Sequence, residues 1–344
     1  MAMEIIQATR RIAAGKTLAR GEMKDLMKQI MSGLADDIQV TALLTLLATR
    51  LPTADELTGA AEVMRSFALP VTSAARPLVD TCGTGGSGTG LFNISTASAF
   101  VAAAGGVKVA KHGNRAMSGK SGSADLLGRM GVDLSLGPEE IARCIDETGF
   151  GFMFAQSHHS AVRHVAKIRA GIGIKTIFNM LGPLTNPAGA RRQLLGVPDP
   201  DWQKPMAEVL QNLGSERVLM VHCEGLDELG LNAASTLLEF RDGQMENYRL
   251  APEDVGLKRQ SHDSLIADSP EASLALVKKA LGGRPGPAAD IVALNAGAAL
   301  YLADKANSFR LGVEMATDLI FSGQAEQKMS EFVDFTKLLA GIGK

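Results

Sequence analysis

The stretch Asp80-Thr-Cys-Gly-Thr-Gly-Gly-Ser-Gly-Thr-Gly90 lies between a short apolar run, Pro77 to Asp80, and a helical pattern from Ile94 to Ala104. A strand that runs through glycines into a helix marks the edge of an α/β sheet at which ligands bind. Glycine allows positive φ and lets the main chain approach a ligand closely. The amides it exposes, together with the N-terminus of the next helix, make a cradle for phosphate. Asn93 is placed to cap that helix, and Ser95 and Thr96 bring hydroxyl donors to its first turn.

Neither of the two common phosphate loops accounts for the stretch. A Walker loop closes on Gly-Lys followed by Ser or Thr, and none is present here. Gly83, Gly85 and Gly88 have the spacing of a dinucleotide fingerprint, but that motif expects an acidic ribose-binding residue about 20 positions later. The chain instead offers Lys108-Val-Ala-Lys-His-Gly-Asn-Arg115. Cationic and amide groups at that point suit a diphosphate rather than a ribose diol. Ser118, Lys120, Ser121 and Ser123 follow and add donors, so two donor-rich turns at adjacent strand ends are expected to share one anion site. Lys111 is read as a donor at the ligand end of its strand, whose loss opens no core.

Outward from this loop the pattern sorts into two regions. Towards the C-terminus, short strands alternate with helices: a strand from Val107 to Ala110, a helix from Ser123 to Met130, a helix opened by Pro138 and a strand from Gly151 to Phe154. Segments Arg217 to Val221 and Leu237 to Arg241 extend the sheet, and helices over 271–282, 288–304 and 309–322 follow. That alternation implies an α/β domain with a mostly parallel central sheet covered on both faces. Pro183, Pro187 and Gly189 punctuate a crossing between domains. Towards the N-terminus, residues 3 to 70 read as helices only. Leu26, Ile30 and Leu34, then Val40, Leu43, Leu44 and Leu47, recur at helical spacing. Thr53 and Glu56 form a capping box for a helix that runs to Phe67 before Leu69-Pro70 stops it. This stretch makes a small helical domain.

A content of 46% hydrophobic and 21% charged residues is that of a folded chain, and 344 residues suffice for a large domain plus a smaller one. A net charge of −2 argues against a general nucleic-acid or membrane-surface binder. Cys82, Cys144 and Cys223 are far apart and odd in number, which argues against a disulfide framework and suits a reducing, cytoplasmic setting. No run approaches the length of a membrane span, and the N-terminus lacks the apolar core of a signal peptide.

Six motifs stand in order: Gly83-Thr-Gly-Gly86, Asn93-Ile-Ser-Thr96, Lys111-His-Gly-Asn-Arg115, Ser121-Gly-Ser-Ala-Asp125, Asn179-Met-Leu-Gly-Pro-Leu-Thr-Asn-Pro187 and Gly225-Leu-Asp-Glu228. Together they resemble the anthranilate phosphoribosyltransferase family over nearly the whole chain. The resemblance implies a nucleoside phosphorylase/phosphoribosyltransferase-like fold. Its helical domain spans residues 1–70, joined by helices near 165–185, and its α/β domain spans 75–164 and 186–344. It also implies two Mg²⁺ ions per subunit and a homodimer formed through the helical domain. The implied reaction, in tryptophan biosynthesis, moves the phosphoribosyl group of phosphoribosyl diphosphate (PRPP) to the amine of anthranilate. Closure of the helical domain on the α/β domain is expected to exclude water.

Residue by residue, the resemblance assigns Gly83, Gly86, Ser87, Leu91, Asn93, Ile94, Ser95 and Thr96 of the first loop to PRPP. From the second loop it assigns Lys111, His112, Gly113, Asn114, Arg115, Ala116, Met117, Ser118, Gly119 and Ser123. Anthranilate is assigned Gly83, His112, Asn114, His159 and Arg169, the last because a guanidinium grips a carboxylate through two parallel bonds. Ser95 is assigned to one Mg²⁺, and Asp227 with Glu228 to the other, since Mg²⁺ prefers oxygen ligands. The chain departs from the family pattern at Ser87, where Asp is usual, at Leu91, where a hydroxyl residue is usual, and at Gly119, where Ser is usual. Ser87 removes a negative charge beside the diphosphate. A pyrimidine nucleoside phosphorylase-like enzyme shares the architecture, and a non-catalytic nucleic-acid-binding paralogue is a reading of another class. Asn114 with Arg169 weighs against the first, and the Asp227-Glu228 pair with a near-neutral charge weighs against the second.

Overall fold

Four helices open the chain: α1 (Ile5–Ala13), α2 (Arg20–Met31), α3 (Asp37–Leu47) and α4 (Ala54–Phe67). The computed structural model describes residues 3–85, 87–116 and 120–342. Local chemistry sets the helix ends. Asp36 accepts from the amides of Ile38 and Gln39 to start α3. At the start of α4 the Glu56 amide donates to the Thr53 hydroxyl (3.2 Å) and the Thr53 amide to the Glu56 carboxylate (2.9 Å). α2 ends at Met31, and Gly33 turns the chain with φ 68°. Leu34 therefore falls beyond the helix and stands 83% exposed, outside the apolar stripe expected of it.

The sheet holds seven strands: β1 (Leu78–Gly83), β2 (Lys108–Gly113), β3 (Phe150–Phe154), β4 (Arg192–Gly196), β5 (Arg217–His222), β6 (Ser235–Arg241) and β7 (Gln244–Leu250). Their order is β3-β2-β1-β4-β5-β6-β7, parallel as far as β5 and antiparallel beyond it. β1 and β2 run on to Gly83 and Gly113, so the glycine motifs begin inside the strands. The apolar pattern missed β4, a short strand opened by Arg192 and Gln193, and β7, a polar edge strand that is mostly exposed.

The later helices are α5 (Ile94–Ala104), α6 (Ser123–Met130), α7 (Pro138–Arg143), α8 (Ala155–His158), α9 (Arg163–Ile172), α10 (Phe178–Leu181), α11 (Gln203–Asn212), α12 (Pro270–Leu281), α13 (Pro287–Leu302), α14 (Phe309–Phe321) and α15 (Gln324–Ile342). Alternate residues of the central strands face opposite cores, as the twofold period of a strand requires. Leu194, Leu219 and Val221 pack in one core with Phe100 of α5 and Phe332 of α15. Leu195, Val218 and Met220 pack in the other with Leu57 of α4 and Leu210 of α11. α9 lies against α2 and α3, and α10 against α4, so Ile168 and Leu181 share that second core with Leu26 and Leu43. Among the described residues no helix is long and apolar enough to cross a membrane.

The entry to α4 rests on a buried charge. Glu56 is fully buried and accepts from Arg50 (2.6 and 2.8 Å) and from the amides of Leu18 and Thr53 (both 2.9 Å). Burial raises its pKa, but Arg50 and the two amides outweigh burial and hold the carboxyl below 4.5. Breaking such a pair by removing one partner costs about 3 kcal/mol, and Arg50→Leu should lower stability by about that much at neutral pH. A depressed carboxyl stabilises the fold above its unfolded pKa, and that contribution is lost as pH falls through the folded value. In urea unfolding, the gap between wild type and Arg50→Leu should therefore narrow below the ordinary value of 4.5. A gap that stays constant into acid would show that the ion pair is not its source.

Candidate active site

The C-terminal ends of β1, β4 and β5 build the floor of the site. After β5, Cys223 and Leu226 exchange main-chain bonds (3.1 and 2.9 Å) around a tight turn in which Glu224 and Gly225 take φ 47° and 83°. The turn sends Asp227 and Glu228 back over the strand ends. Two glycines receive them. A Cβ on Gly83 would stand 2.5 Å from Asp227 Oδ2, and one on Gly196 would stand 1.6 Å from the Asp227 carbonyl. Asp227 accepts from the Gly85 amide (3.1 Å) and Glu228 from the Ser95 amide (3.1 Å), so the carboxylates lie across the glycine loop and the first turn of α5. Burial raises the pKa of both carboxyls. Repulsion from Asp227 adds to the rise at Glu228, while the Ser87 hydroxyl and the Gly85 amide oppose it at Asp227. Beyond the pair, the fully buried Asn295 of α13 accepts from the Leu229 amide and donates to its carbonyl, both at 3.0 Å.

Lys111 differs from its sequence reading. It is 2% exposed, and its ammonium donates to the Thr81 carbonyl and to the Ser95 hydroxyl (3.3 Å). Burial lowers its pKa, and the charges of Asp80 and Glu228 oppose that fall. Asp80 is itself fully buried; it accepts from the His112 amide (3.2 Å) and from the Asn186 side chain (2.8 Å). Lys111 is thus an internal charge joining β1, β2 and the acidic segment, and removing it opens a core.

Asn93 also differs. Its side chain makes no capping bond at α5. Its oxygen accepts from the hydroxyls of Ser121 and Ser273 (both 2.7 Å) and its amide donates to the Ser121 carbonyl (3.1 Å), which ties the second loop and α12 to the start of α5. In the second loop, Asp125 accepts from the amides of Ala116 (2.9 Å) and Gly122 (3.0 Å) and from Arg115 (3.1 Å). Ser123 donates to the Asn114 carbonyl (3.4 Å). The side chains of Ile94 and Thr96 are buried, and the Ile94 amide donates to the Phe92 carbonyl (2.7 Å). Leu91 pairs with Ile266 in an isolated antiparallel bridge. Gly86, Met117, Ser118 and Gly119 lie outside the described residues.

His112, in β2 next to Gly113, and His159, just past α8, face each other with ring centroids 5.0 Å apart. His112 Nδ1 meets the Gly182 carbonyl at 3.2 Å; its Nε2 and both ring nitrogens of His159 are buried without a hydrogen-bond partner among the described residues. Burial and the neighbouring histidines lower the pKa of His112 to about 3 and of His159 to about 4, so both rings are neutral at pH 7. The Thr185 main chain opposes this at His159 without a bond of good geometry. His158 instead engages the Leu69 carbonyl (2.8 Å). Arg169, on α9, is half-buried over the Phe178 ring, 5.4 Å from its centroid. Among the described residues no group of three or more His, Cys, Asp or Glu is arranged to hold a metal, so Asp227 and Glu228 stand as a pair. Gly196, Ser273 and Asn295 carry this geometry without having stood out in the sequence. The one available signal was Leu194-Leu195-Gly196, an apolar run that closes on glycine as β1 does.

A helical bundle beside a parallel sheet that gathers a glycine loop and paired carboxylates at its strand ends defines a class of glycosyltransferases. Residues 6–68 match the glycosyl transferase family, helical bundle domain, and residues 75–326 match the glycosyl transferase family, a/b domain. The anthranilate phosphoribosyltransferase of Ectopseudomonas mendocina is 52% identical over 339 residues, 97% of either chain. The anthranilate phosphoribosyltransferase structure from Thermus thermophilus gives a TM-score of 0.91 at 46% identity, covering 96% of this chain and 99% of that one. The Saccharomyces cerevisiae enzyme, solved in complex with PRPP and Mg, gives 0.88 at 26% identity and covers 97% and 98%. The same yeast enzyme has also been solved in complex with 4-fluoroanthranilate. This chain belongs to the anthranilate phosphoribosyltransferase family.

Lys111→Ala should lower the free energy of unfolding by about 3 kcal/mol, because it leaves a cavity and the buried Asp80 without its cation. Chemical denaturation of the ligand-free protein measures this. A loss below about 0.5 kcal/mol, the size of an ordinary surface substitution, would return Lys111 to the solvent side.

Proposed function

We propose that this enzyme transfers the phosphoribosyl group of PRPP to the amine of anthranilate in tryptophan biosynthesis, giving N-phosphoribosyl anthranilate and diphosphate. The observation that carries the reading is the placing of Asp227 and Glu228 across the amides of Gly85 and Ser95, in a chain 52% identical over 97% of its length to an anthranilate phosphoribosyltransferase. The amine lone pair forms the new bond to the anomeric carbon as the bond from that carbon to diphosphate breaks. The electron pair leaves with diphosphate, and the amine proton passes to water. No strong base is required. Charge on the leaving group is the main difficulty, and preorganised amides of the glycine loop and of α5 meet it where it develops. Lys111 adds positive charge from beneath.

Asp227 and Glu228 fit a hard divalent cation, since burial and mutual repulsion disfavour their ionised forms and an oxygen-seeking ion reverses that. When bound there, Mg²⁺ supplies neutralisation of the diphosphate charge. A second ion at Ser95 completes the proposed pair. Asn93, Ser123 and the second loop take the rest of PRPP; His112, Asn114, His159 and Arg169 take anthranilate, with Arg169 on its carboxylate. Around the seam of α3 and α9 the helical domain exposes Leu34 (83%), Ile38 (79%) and Ile174 (56%), an apolar face suited to a homodimer. Cys82, Cys144 and Cys223 are free thiols, which suits work in the cytosol.

Anthranilate fluorescence should fall only when PRPP and Mg²⁺ are both supplied, and no fall with both present overturns the reading. Arg169→Ala should raise the KM for anthranilate about 10- to 100-fold, the size of a lost bond to a charged group. The KM for PRPP should hardly move. Equal effects on the two substrates would remove Arg169 from the acceptor site.

A further inference from the structure

An irregular connector, residues 260–267, joins the acidic segment to the glycine loop. At its start, the Gln260 amide donates to the Leu231 carbonyl (3.0 Å), and the Leu231 amide donates to Nε2 of His262 (3.0 Å). At its end, the Phe92 amide donates to the Leu265 carbonyl (3.0 Å) and the Ala267 amide to the Gly90 carbonyl (2.8 Å), on either side of the Leu91–Ile266 bridge. Between these attachments the Leu265 amide donates to the His262 carbonyl (2.8 Å), which closes a turn and fixes their spacing. Leu231 and Leu265 are both buried in the main core, so each attachment is anchored.

His262 is the one side chain of this connector that bonds the acidic segment directly. Its Nε2 accepts only when the ring is neutral and carries its proton on Nδ1. Burial lowers its pKa and so favours that form, against the charges of Asp263 and Glu224. Leu231 lies in the same short stretch as Asp227 and Glu228. The residues between are themselves tied, Leu229 to Asn295 and Gly230 to the Ser235 hydroxyl (3.2 Å), so His262 is the outermost of three successive ties that together set the course of the segment carrying the carboxylates.

We propose that His262 is a positioning residue: through Leu231 it holds Asp227 and Glu228 at a set distance from the glycine loop, whose far end the same connector grips at Gly90. The proposal rests on the function proposed above. Its effect falls on the diphosphate side of the reaction. His112, His159 and Arg169 belong to β2, the end of α8 and α9, none of which the connector's attachments involve.

The test uses His262→Leu, which removes the acceptor, and His262→Gln, whose side-chain oxygen restores one. Amide exchange at Leu231 in the ligand-free protein should speed up at least about tenfold in His262→Leu and return close to wild type in His262→Gln. Calorimetric binding of PRPP with Mg²⁺ should weaken about tenfold in His262→Leu and recover in His262→Gln, while the KM for anthranilate stays within about twofold. Unchanged exchange at Leu231 in His262→Leu overturns the proposal. So does an equal loss on PRPP and anthranilate in both variants, which marks general destabilisation. If wild type binds PRPP but consumes no anthranilate, the acceptor reading fails while exchange and PRPP binding still decide the role of His262.

Discussion

An ammonium group shut away from water needs counter-charge near it, and for Lys111 Asp80 supplies most of it, with a smaller share from Glu228. Asp80 belongs to β1, Lys111 to β2, and Glu228 follows β5, so one charge balance spans the sheet. Removing one partner from such a group is far more costly than the net gain from forming it. Its contribution is therefore less to overall stability than to place. Burial and the Asp227 charge raise the Glu228 carboxyl to about 8, so in the ligand-free protein the Gly85 and Ser95 amides, more than the lysine's charge, keep the acidic segment beside the glycine loop. The raised pKa values of Asp80 and Glu228, caused first by burial, measure how little water shares the load.

Around that balance the site divides into a charged half and an uncharged half. The charged half holds the loop amides, Lys111 and the paired carboxylates, where a leaving diphosphate makes its greatest electrostatic demand. The uncharged half holds His112 and His159, neutral rings in which His112 Nε2 and both nitrogens of His159 are buried without a hydrogen-bond partner among the described residues. Such nitrogens are costly to leave bare, and a polar aromatic ligand is a chemically apt way to satisfy them. Lys111 and His112 are consecutive residues of β2, so the two halves meet on one strand.

Much of this was legible in the sequence because glycine and charge in strand–helix junctions have few other uses. The loop after β1 and the turn after β2 announced themselves by residue type, whereas the acidic pair stood out only through the family motif that contains it. What stayed hidden was hidden for physical reasons. β7 is polar because it is an edge, and β4 opens with Arg192 and Gln193, so neither looks like a buried strand. Asn93 has the chemistry of a cap, but Ser121 and Ser273 compete for its side chain and win. Lys111 looks like a surface donor because its counter-charges arrive from other strands, and no local pattern reports a partner more than a hundred residues away in Glu228. Asn186 was visible inside a motif, yet its role, bonding Asp80 and the Ala110 carbonyl at 2.8 Å each, is a matter of three dimensions.

The sheet face that packs against α4 and α11 bears on how such an enzyme moves. Leu195, Val218, Met220 and Phe240 share one core with the N-terminal helices. Arg65 of α4 donates to the carbonyls of Leu184 (2.8 Å) and Leu213 (3.4 Å), and Asn212 of α11 donates to the Thr58 hydroxyl (3.4 Å). The border near residue 70 is thus crossed by a shared core and by side-chain bonds. A jaw-like swing of the helical part would strip apolar surface from the back of the sheet, so a closure that shields the reacting atoms has to leave that contact in place.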